Sequence, residues 1–277
     1  MILAIGEALM EFRRTTADGR LTAPGEWAGP FPSGAPAIFA SVAARLGAPV
    51  ALAAAVGDDR FGRALRDRLA GDGVDPRALR LVPGRATALA FVAYAGDGSR
   101  DFWFSVHDSA AVEVEPPSLD GVDWLHVSGS TLGFGARLAE TVVGAAAGVA
   151  AGGGRVSLDP NLRPDADPGV RARLNRIARL AHVLFPSDGE LEGLDVAPDA
   201  LVCHTHGAGG ATVTGVHVPA PAVAEVDPTG AGDTFAAAFV AAHRAGADPV
   251  QAARQACELA ARTVTVLGAM QAPVRPA

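Results

Sequence analysis

From Trp124 to Phe185 short apolar runs alternate with helix-spaced segments, and each run breaks off in polar residues. Trp124 to Val127 ends at Ser128-Gly129-Ser130, a helix is predicted over Arg137 to Ala150, and Val156 to Leu158 ends at Asp159-Pro160-Asn161-Leu162-Arg163-Pro164. A second helix over Arg171 to Leu180 and a strand over His182 to Phe185 continue the pattern. Strand, helix, strand, helix in that order leaves few architectures. The strands lie parallel, helices cover both faces, and polar residues collect at the C-terminal strand ends, where such sheets bind ligands. The N-terminal third reads similarly. Ile2 to Ile5 runs through Gly6 and Glu7 into Leu9, Met10 and Phe12 as one buried strand, Ile38 to Leu46 is an apolar helix closed by Gly47, and Val50 to Val56 is a second strand. Asp58 and Asp59 precede a helix over Arg63 to Ala70, where at least one of them caps it.

At 277 residues and 49% hydrophobic, the chain can bury one large core with a small appendage. A formal charge of -7, with no lysine among the 23 basic residues, argues against a nucleic-acid surface and excludes lysine Schiff-base chemistry. Cys203 and Cys257 stand far apart, giving neither a disulfide framework nor a zinc cluster and pointing to a reducing, cytoplasmic setting. Met1 to Ile5 lacks a basic leader, and no apolar stretch has membrane-spanning length.

Val226 to Phe239, V-D-P-T-G-A-G-D-T-F-A-A-A-F, joins an apolar approach to a Gly-rich turn and then to an Ala-rich helix. Unpaired amides at a helix start, with glycines that let the main chain come close, suit an anion. Asp233 beside such a pocket would repel the anion, so its use is either to accept a proton from a group attacking phosphorus or, with Thr234 as second candidate, to cap the helix.

The run D-P-T-G-A-G-D-T-F resembles the C-terminal signature of the ribokinase family of carbohydrate kinases, also called the PfkB family. The resemblance implies an α/β, ribokinase-like three-layer sandwich with a central, mostly parallel sheet and a small β-sheet lid, as one domain over 1–277 with the lid formed by about 12–32 and 84–107. It implies ATP-dependent phosphorylation of a sugar hydroxyl with Mg2+ and a monovalent cation such as K+, Asp233 as base, and the amides of Gly230, Ala231, Gly232 and Asp233 as the anion hole. Nucleotide contacts are implied at Thr205, Gly207, Gly210, Thr229, Gly230 and Gly232, and sugar contacts at Glu11, Gly34, Phe104, Arg163 and Asp233.

Other segments carry the likeness with departures. Ser33-Gly34-Ala35-Pro36-Ala37-Ile38 looks like the family's G-G-A-P-A-N, with Ser33 for a glycine and Ile38 for the asparagine that contacts the sugar. Gly/Pro-rich Thr15 to Pro32 and a hairpin of Thr87 to Tyr94 with Asp101 to Val106 form the lid, whose aromatics face a ligand or a second subunit in a homodimer. D-P-N-L-R is similar to the D-x-N-x-R of fructokinases and 2-keto-3-deoxygluconate kinases. Arg163 there either clamps an anion or pairs with Asp165 or Asp159. Ser187-Asp188-Gly189-Glu190 stands at the family's N-x-x-E, with Glu190 near Mg2+ or as a helix-terminal acid. Leu201 to Gly210 looks like the nucleotide strand and G-A-x-G turn. His204 and His206 share a face of it, but no third ligand lies near in sequence, so they read as ordinary strand residues. Short spacings after Glu190 and after Ala211 suggest that one helix and one hairpin are trimmed. The implied substrate is fructose-like. A sugar acid is the alternative, as is a non-catalytic sugar- or nucleotide-binding protein on the same fold.

Overall fold

Ile2, Leu3, Ala4 and Ile5 are each at most 1% exposed, because the strand they form has a neighbour on both edges and a helical layer on both faces. The computed structural model describes residues 1–96, 100–162 and 167–274. Its elements run β1 (Ile2–Ile5), β2 (Leu9–Arg14), β3 (Trp27–Ser33), α1 (Ala35–Arg45), β4 (Val50–Gly57), α2 (Arg60–Asp72), β5 (Leu79–Val82), β6 (Ala88–Tyr94) and β7 (Arg100–Ser105). They continue with β8 (Trp124–Ser128), α3 (Ala136–Ala151), β9 (Arg155–Asp159), α4 (Pro168–Ala178), β10 (Val183–Leu184), β11 (Leu201–Thr205), β12 (Ala211–Val213), β13 (Val216–Val218), α5 (Ala231–Arg244) and α6 (Pro249–Thr263).

The large sheet has nine strands in the order β13-β12-β11-β10-β9-β8-β1-β4-β5. All neighbours from β11 to β5 are parallel, and β12 and β13 are antiparallel additions at one edge. Alternation sends Ile2 and Ala4 into a core shared with α1, α2, α5 and α6, and Leu3 and Ile5 into a core shared with α3 and α4. On the first side Phe39 of α1 stacks on His126 of β8 with ring centroids 3.8 Å apart, and fully burying such a phenyl contributes roughly 1.5–3 kcal/mol. The three layers of the sandwich follow from these two faces. Among the described residues no helix is long and apolar enough to cross a membrane.

Two local outcomes correct the sequence reading. The single strand expected from Ile2 to Phe12 is two strands: the chain breaks at Gly6, whose φ of +144° and close approach to Thr131 admit no side chain. β2 therefore belongs to a second, four-stranded sheet of order β3-β2-β6-β7, which starts at Leu9. The hairpin expected to be trimmed is present as β12 and β13, while residues 191–200 form no helix. Of the acidic pair before α2, Asp59 is the cap, accepting from Gly62 N at 2.8 Å and from both N and Oγ1 of Thr87 at 2.7 Å. The turn residues 97–99 of the expected hairpin lie outside the described residues.

Candidate functional site

The large sheet changes direction at β1, with β4 on one side and β8 on the other. At such a switch point the chain leaves the C-terminal strand ends in opposite directions and opens a crevice. Glu7 follows β1, Thr131 follows β8, Asp159 ends β9 and Ser187 follows β10, so their polar groups line one edge of the sheet.

α5 starts at that edge without a side-chain cap. Gly230 holds the cap position with φ +79°, and a Cβ there would stand 2.7 Å from that of Ala269. The capping account of Asp233 and Thr234 therefore fails. Thr234 is buried, and its hydroxyl accepts from that of Thr263 at 3.2 Å. The Ala231 amide makes a 3.3 Å turn bond to Pro228 O. Gly232 and Asp233 lie in the first helical turn, where amides have no intrahelical acceptor. Gly232 is exposed, and among the described residues outside its own helix a Cβ built on it would approach Oδ2 of Asp159, at 3.7 Å. A phosphate-sized anion can thus approach this main chain.

Asp233 is half-buried. Burial, and then the charges of Asp159, Glu7 and Glu11, hold its carboxyl well above the usual carboxylate range. The neighbours are themselves displaced. Burial pushes Glu7 up to about 7, although Thr131 Oγ1 donates to it at 2.6 Å. Burial and then Asp227 push Glu11 up to about 7 against a 3.0 Å bond from Ser33 Oγ. Burial and then Glu190 push Asp159 up to about 7. Gly34 brings the start of α1 against this group, since a Cβ on it would meet the Glu7 carbonyl at 2.7 Å.

Glu190 ties two loops together, accepting from Leu162 N with Oε1 and from Ser187 N with Oε2, both at 2.8 Å. Thr205 Oγ1 donates to Pro186 O at 3.2 Å and lies 3.1 Å from Ser187 Oγ. The turn after it uses two positive-φ glycines, Gly207 in open space and Gly210, where a Cβ would overlap the Val218 carbonyl oxygen. Thr229 bonds through its hydroxyl to Asp227 at 2.7 Å and to Tyr94 at 3.0 Å.

In the small sheet Glu11 lies opposite Ala90, and Ala90 opposite Phe104, so Glu11 and Phe104 share a face. The ring of Phe104 is 5.4 Å from that of Phe134 and 5.8 Å from that of Phe102. Trp103 is on the opposite face and 56% exposed. Ile38, at the place of the family's asparagine, is buried beneath Gly230, with methyl groups 3.3 to 3.4 Å from a Cβ built there. Arg163 lies outside the described residues.

Glu7, Thr131 and Asp227 were not singled out from sequence, and Asp159 only as a strand-end residue and a partner for Arg163. Their shared signal is position, since Glu7, Thr131 and Asp159 each stand at or just past the end of an apolar strand run. A cavity of about 380 Å³ lined by Pro49, Ala241, Arg244 and Glu258 lies at the far end of α5 and holds none of these groups.

A model of the pfkB family carbohydrate kinases matches residues 1–275. The fructokinase of Klebsiella pneumoniae is 35% identical over 271 residues, covering 87% of this chain and 88% of its own. The aminoimidazole riboside kinase of Salmonella typhimurium is 35% identical over 228 residues, covering 74% and 71%. Among solved structures, an E. coli protein provisionally called Ribokinase II, in complex with ATP and Mg2+, superposes with a TM-score of 0.89 at 35% identity, covering 98% of this chain and 95% of that one.

Proposed function

Because this chain belongs to the pfkB family of carbohydrate kinases, we propose that it transfers the γ-phosphoryl group of ATP to a hydroxyl of a small, fructose-like sugar. The observation that carries this reading is the pairing of Asp233 with the open first-turn amides of α5 at the C-terminal edge of the sheet. A base and an anion hole side by side are what phosphoryl transfer asks of a protein. Asp233 takes the proton of the attacking hydroxyl, and the burial that raises its carboxyl makes it a stronger proton acceptor than an exposed aspartate. The amides of Gly230, Gly232 and Asp233 donate to the oxygens of the group in transfer, with Ala231 shaping the turn. Glu11, Gly34 and Phe104 face the acceptor, as Arg163 does by its likeness to the fructokinase motif.

The site suits the groups that this chemistry needs. Open main chain at Gly232 leaves room for phosphate, and the carboxylates Asp159 and Glu190 offer the hard oxygens that Mg2+ prefers. Bound ATP supplies the phosphoryl group, and Mg2+ offsets the phosphate charge. Thr205, Gly207, Gly210 and Thr229 line the approach for the nucleotide. The fructokinase likeness supports a fructose-like acceptor, and the equal identity to a riboside kinase supports a ribosyl acceptor as the second reading. On the shared face of the small sheet Glu11, Ala90 and Phe104 offer no cation to a sugar acid, which leaves that role to Arg163. Free, buried Cys203 and Cys257 support a reducing, cytoplasmic setting, and exposed Trp103 on the outer lid face supports a homodimer through the lid.

ADP formation from ATP and Mg2+ with fructose, ribose, ribosides and 2-keto-3-deoxygluconate tests the reading. Turnover is expected with fructose or a close relative, and Asp233→Asn is expected to lower kcat by about 10²–10⁴-fold with ATP affinity little changed. Wild-type-like turnover in that variant removes Asp233 from the mechanism, and inactivity on every sugar overturns the assignment.

A further inference from the structure

β11 sends its side chains alternately to the two faces of the sheet. Cys203 enters the core shared with α5 and α6, while His204 and His206 point to the other face. Strand register adds Thr212, opposite His204, and His217, opposite Thr212, to that same face. Residues 191–200, which lead into β11, form no helix. The His204 and His206 rings stack with centroids 5.0 Å apart and planes 15° from parallel, and His217 is 6.2 Å from His206.

Asp188, in the turn after β10, reaches this pair from the side. Its Oδ1 is 3.1 Å from Nε2 of His204 and 3.6 Å from Nδ1 of His206, and the three candidate donor atoms lie within 4.8 Å of one another. The sequence reading of two histidines without a third ligand is thereby corrected: the third comes from a turn 16 positions before His204 and is brought in by the parallel pairing of β10 with β11. Two details separate the cluster from an ordinary ion pair. His204 Nε2 is shielded from solvent and makes no hydrogen bond among the described residues, although Asp188 Oδ1 stands 3.1 Å away. His206 Nε2 lies 2.9 Å from Thr212 Oγ1, and with that nitrogen as donor the Nδ1 lone pair is turned toward the same point. Metal-bound imidazoles are held in this way, through the second nitrogen.

We propose that Asp188, His204 and His206 form a binding site for a divalent transition metal, with Zn2+ as the reference ion and a fourth position open to water. A tetrahedral ion with bonds of about 2.0–2.1 Å needs donor spacings of roughly 3.3 Å, and the two distances to Asp188 bracket that value. Two imidazole nitrogens favour Zn2+, Cu2+ or Ni2+ over Mg2+, which sets this site apart from the carboxylates around Asp233. The bound ion joins the Asp188 turn to β11 and so braces Ser187 against Thr205. The inference does not depend on the proposed kinase reaction.

The test is calorimetric titration of chelator-stripped, full-length protein with ZnCl2 in excess Mg2+, which occupies the carboxylate sites. One equivalent is expected to bind wild type and Asp233→Asn alike, with affinity at least tenfold lower in His204→Ala and His206→Ala and a thermal midpoint raised by Zn2+ only where the histidines are intact. Co2+ added to wild type is expected to give the visible d–d bands of a four-coordinate ion, a readout that needs no variant. Absence of saturable Zn2+ binding by wild type, absence of those Co2+ bands, or undiminished binding in both histidine variants overturns the proposal.

Discussion

The guanidinium of Arg13 stands 3.2 Å from the buried carboxylate of Asp227, joining the small sheet to the loop that leads into α5. The same guanidinium donates to Val226 O at 2.9 Å and lies 4.5 Å from the centre of the Tyr94 ring. Asp227 also accepts from the amide and hydroxyl of Thr229 at 3.1 and 2.7 Å and from Gly268 N at 2.9 Å. Asp227 therefore keeps its other donors when Arg13 is lost, and the fold survives. Arg13→Leu is expected to cost about 1–3 kcal/mol in urea unfolding and to raise the KM for sugar several-fold, with a smaller effect on kcat, because the small sheet loses its hold on the loop. Unchanged KM with unchanged stability would show that the contact positions nothing.

Crowded carboxylates give the free protein a distinctive pH response. Glu7 and Glu11 rise from 4.5, and Asp159 from 3.8, each to about 7 in the folded chain. The folded state thus holds protons that the unfolded chain has released. This contribution is fully present below the unfolded values and is lost as pH rises to about 7 and beyond. His126 opposes it: burial lowers the imidazole to about 3, so its neutral form favours folding increasingly as pH rises toward 6.5. Comparison with Glu11→Gln cancels the histidine. The stability of Glu11→Gln relative to wild type is expected to increase between pH 5 and pH 8 in ligand-free protein, measured by urea unfolding at both. A constant or shrinking difference contradicts the raised Glu11 carboxyl.

The parallel sheet was legible because β8 and β9 are each a short apolar run with a polar stop and then a helical repeat, and β10 is the next apolar run. A cap was legible at Asp58 or Asp59, and the structure assigns it to Asp59. What escaped was set by tertiary contact. The break at Gly6 answers to Thr131, far along the chain, so Glu7 and Glu11 looked like one strand and only the second was singled out. β12 and β13 have three residues each, too few for a period to register. Asp188 meets the histidines only through pairing of β10 with β11. Ile38 reads as a missing sugar contact in the sequence and as packing beneath Gly230 in three dimensions.

The two glycines of the turn after β11 separate conformational cost from collision. Gly207 has φ +55° with nothing within 4 Å of a built Cβ, so Gly207→Ala carries only the left-handed cost of about 1–2 kcal/mol. Gly210 has φ +97°, and its Cβ would overlap the backbone of β13 and the residues after it. Gly210→Ala is therefore expected to destabilise more than Gly207→Ala and to displace the β12–β13 hairpin, with a correspondingly larger loss of ATP affinity by titration calorimetry. Equal effects from the two substitutions would mean that the hairpin yields freely.

Glu190 offers a sharper separation of bracing from ion binding. Its two carboxylate oxygens accept from Leu162 N and Ser187 N, and its charge is the second cause of the raised carboxyl of Asp159. Glu190→Gln keeps the shape but turns one acceptor into a donor facing an N–H, which leaves a main-chain amide unsatisfied at about 1–3 kcal/mol. Glu190→Ala removes both bonds and the charge. If Glu190 also supports Mg2+, the two variants share a several-fold increase in the Mg2+ concentration giving half-maximal turnover, since both lack the negative charge. A bracing residue alone would instead lower the melting temperature and leave that concentration where it was. The expected outcome is the shared increase, together with a fall of the Asp159 carboxyl toward its ordinary range, read by carboxyl-carbon NMR titration of the two variants against wild type.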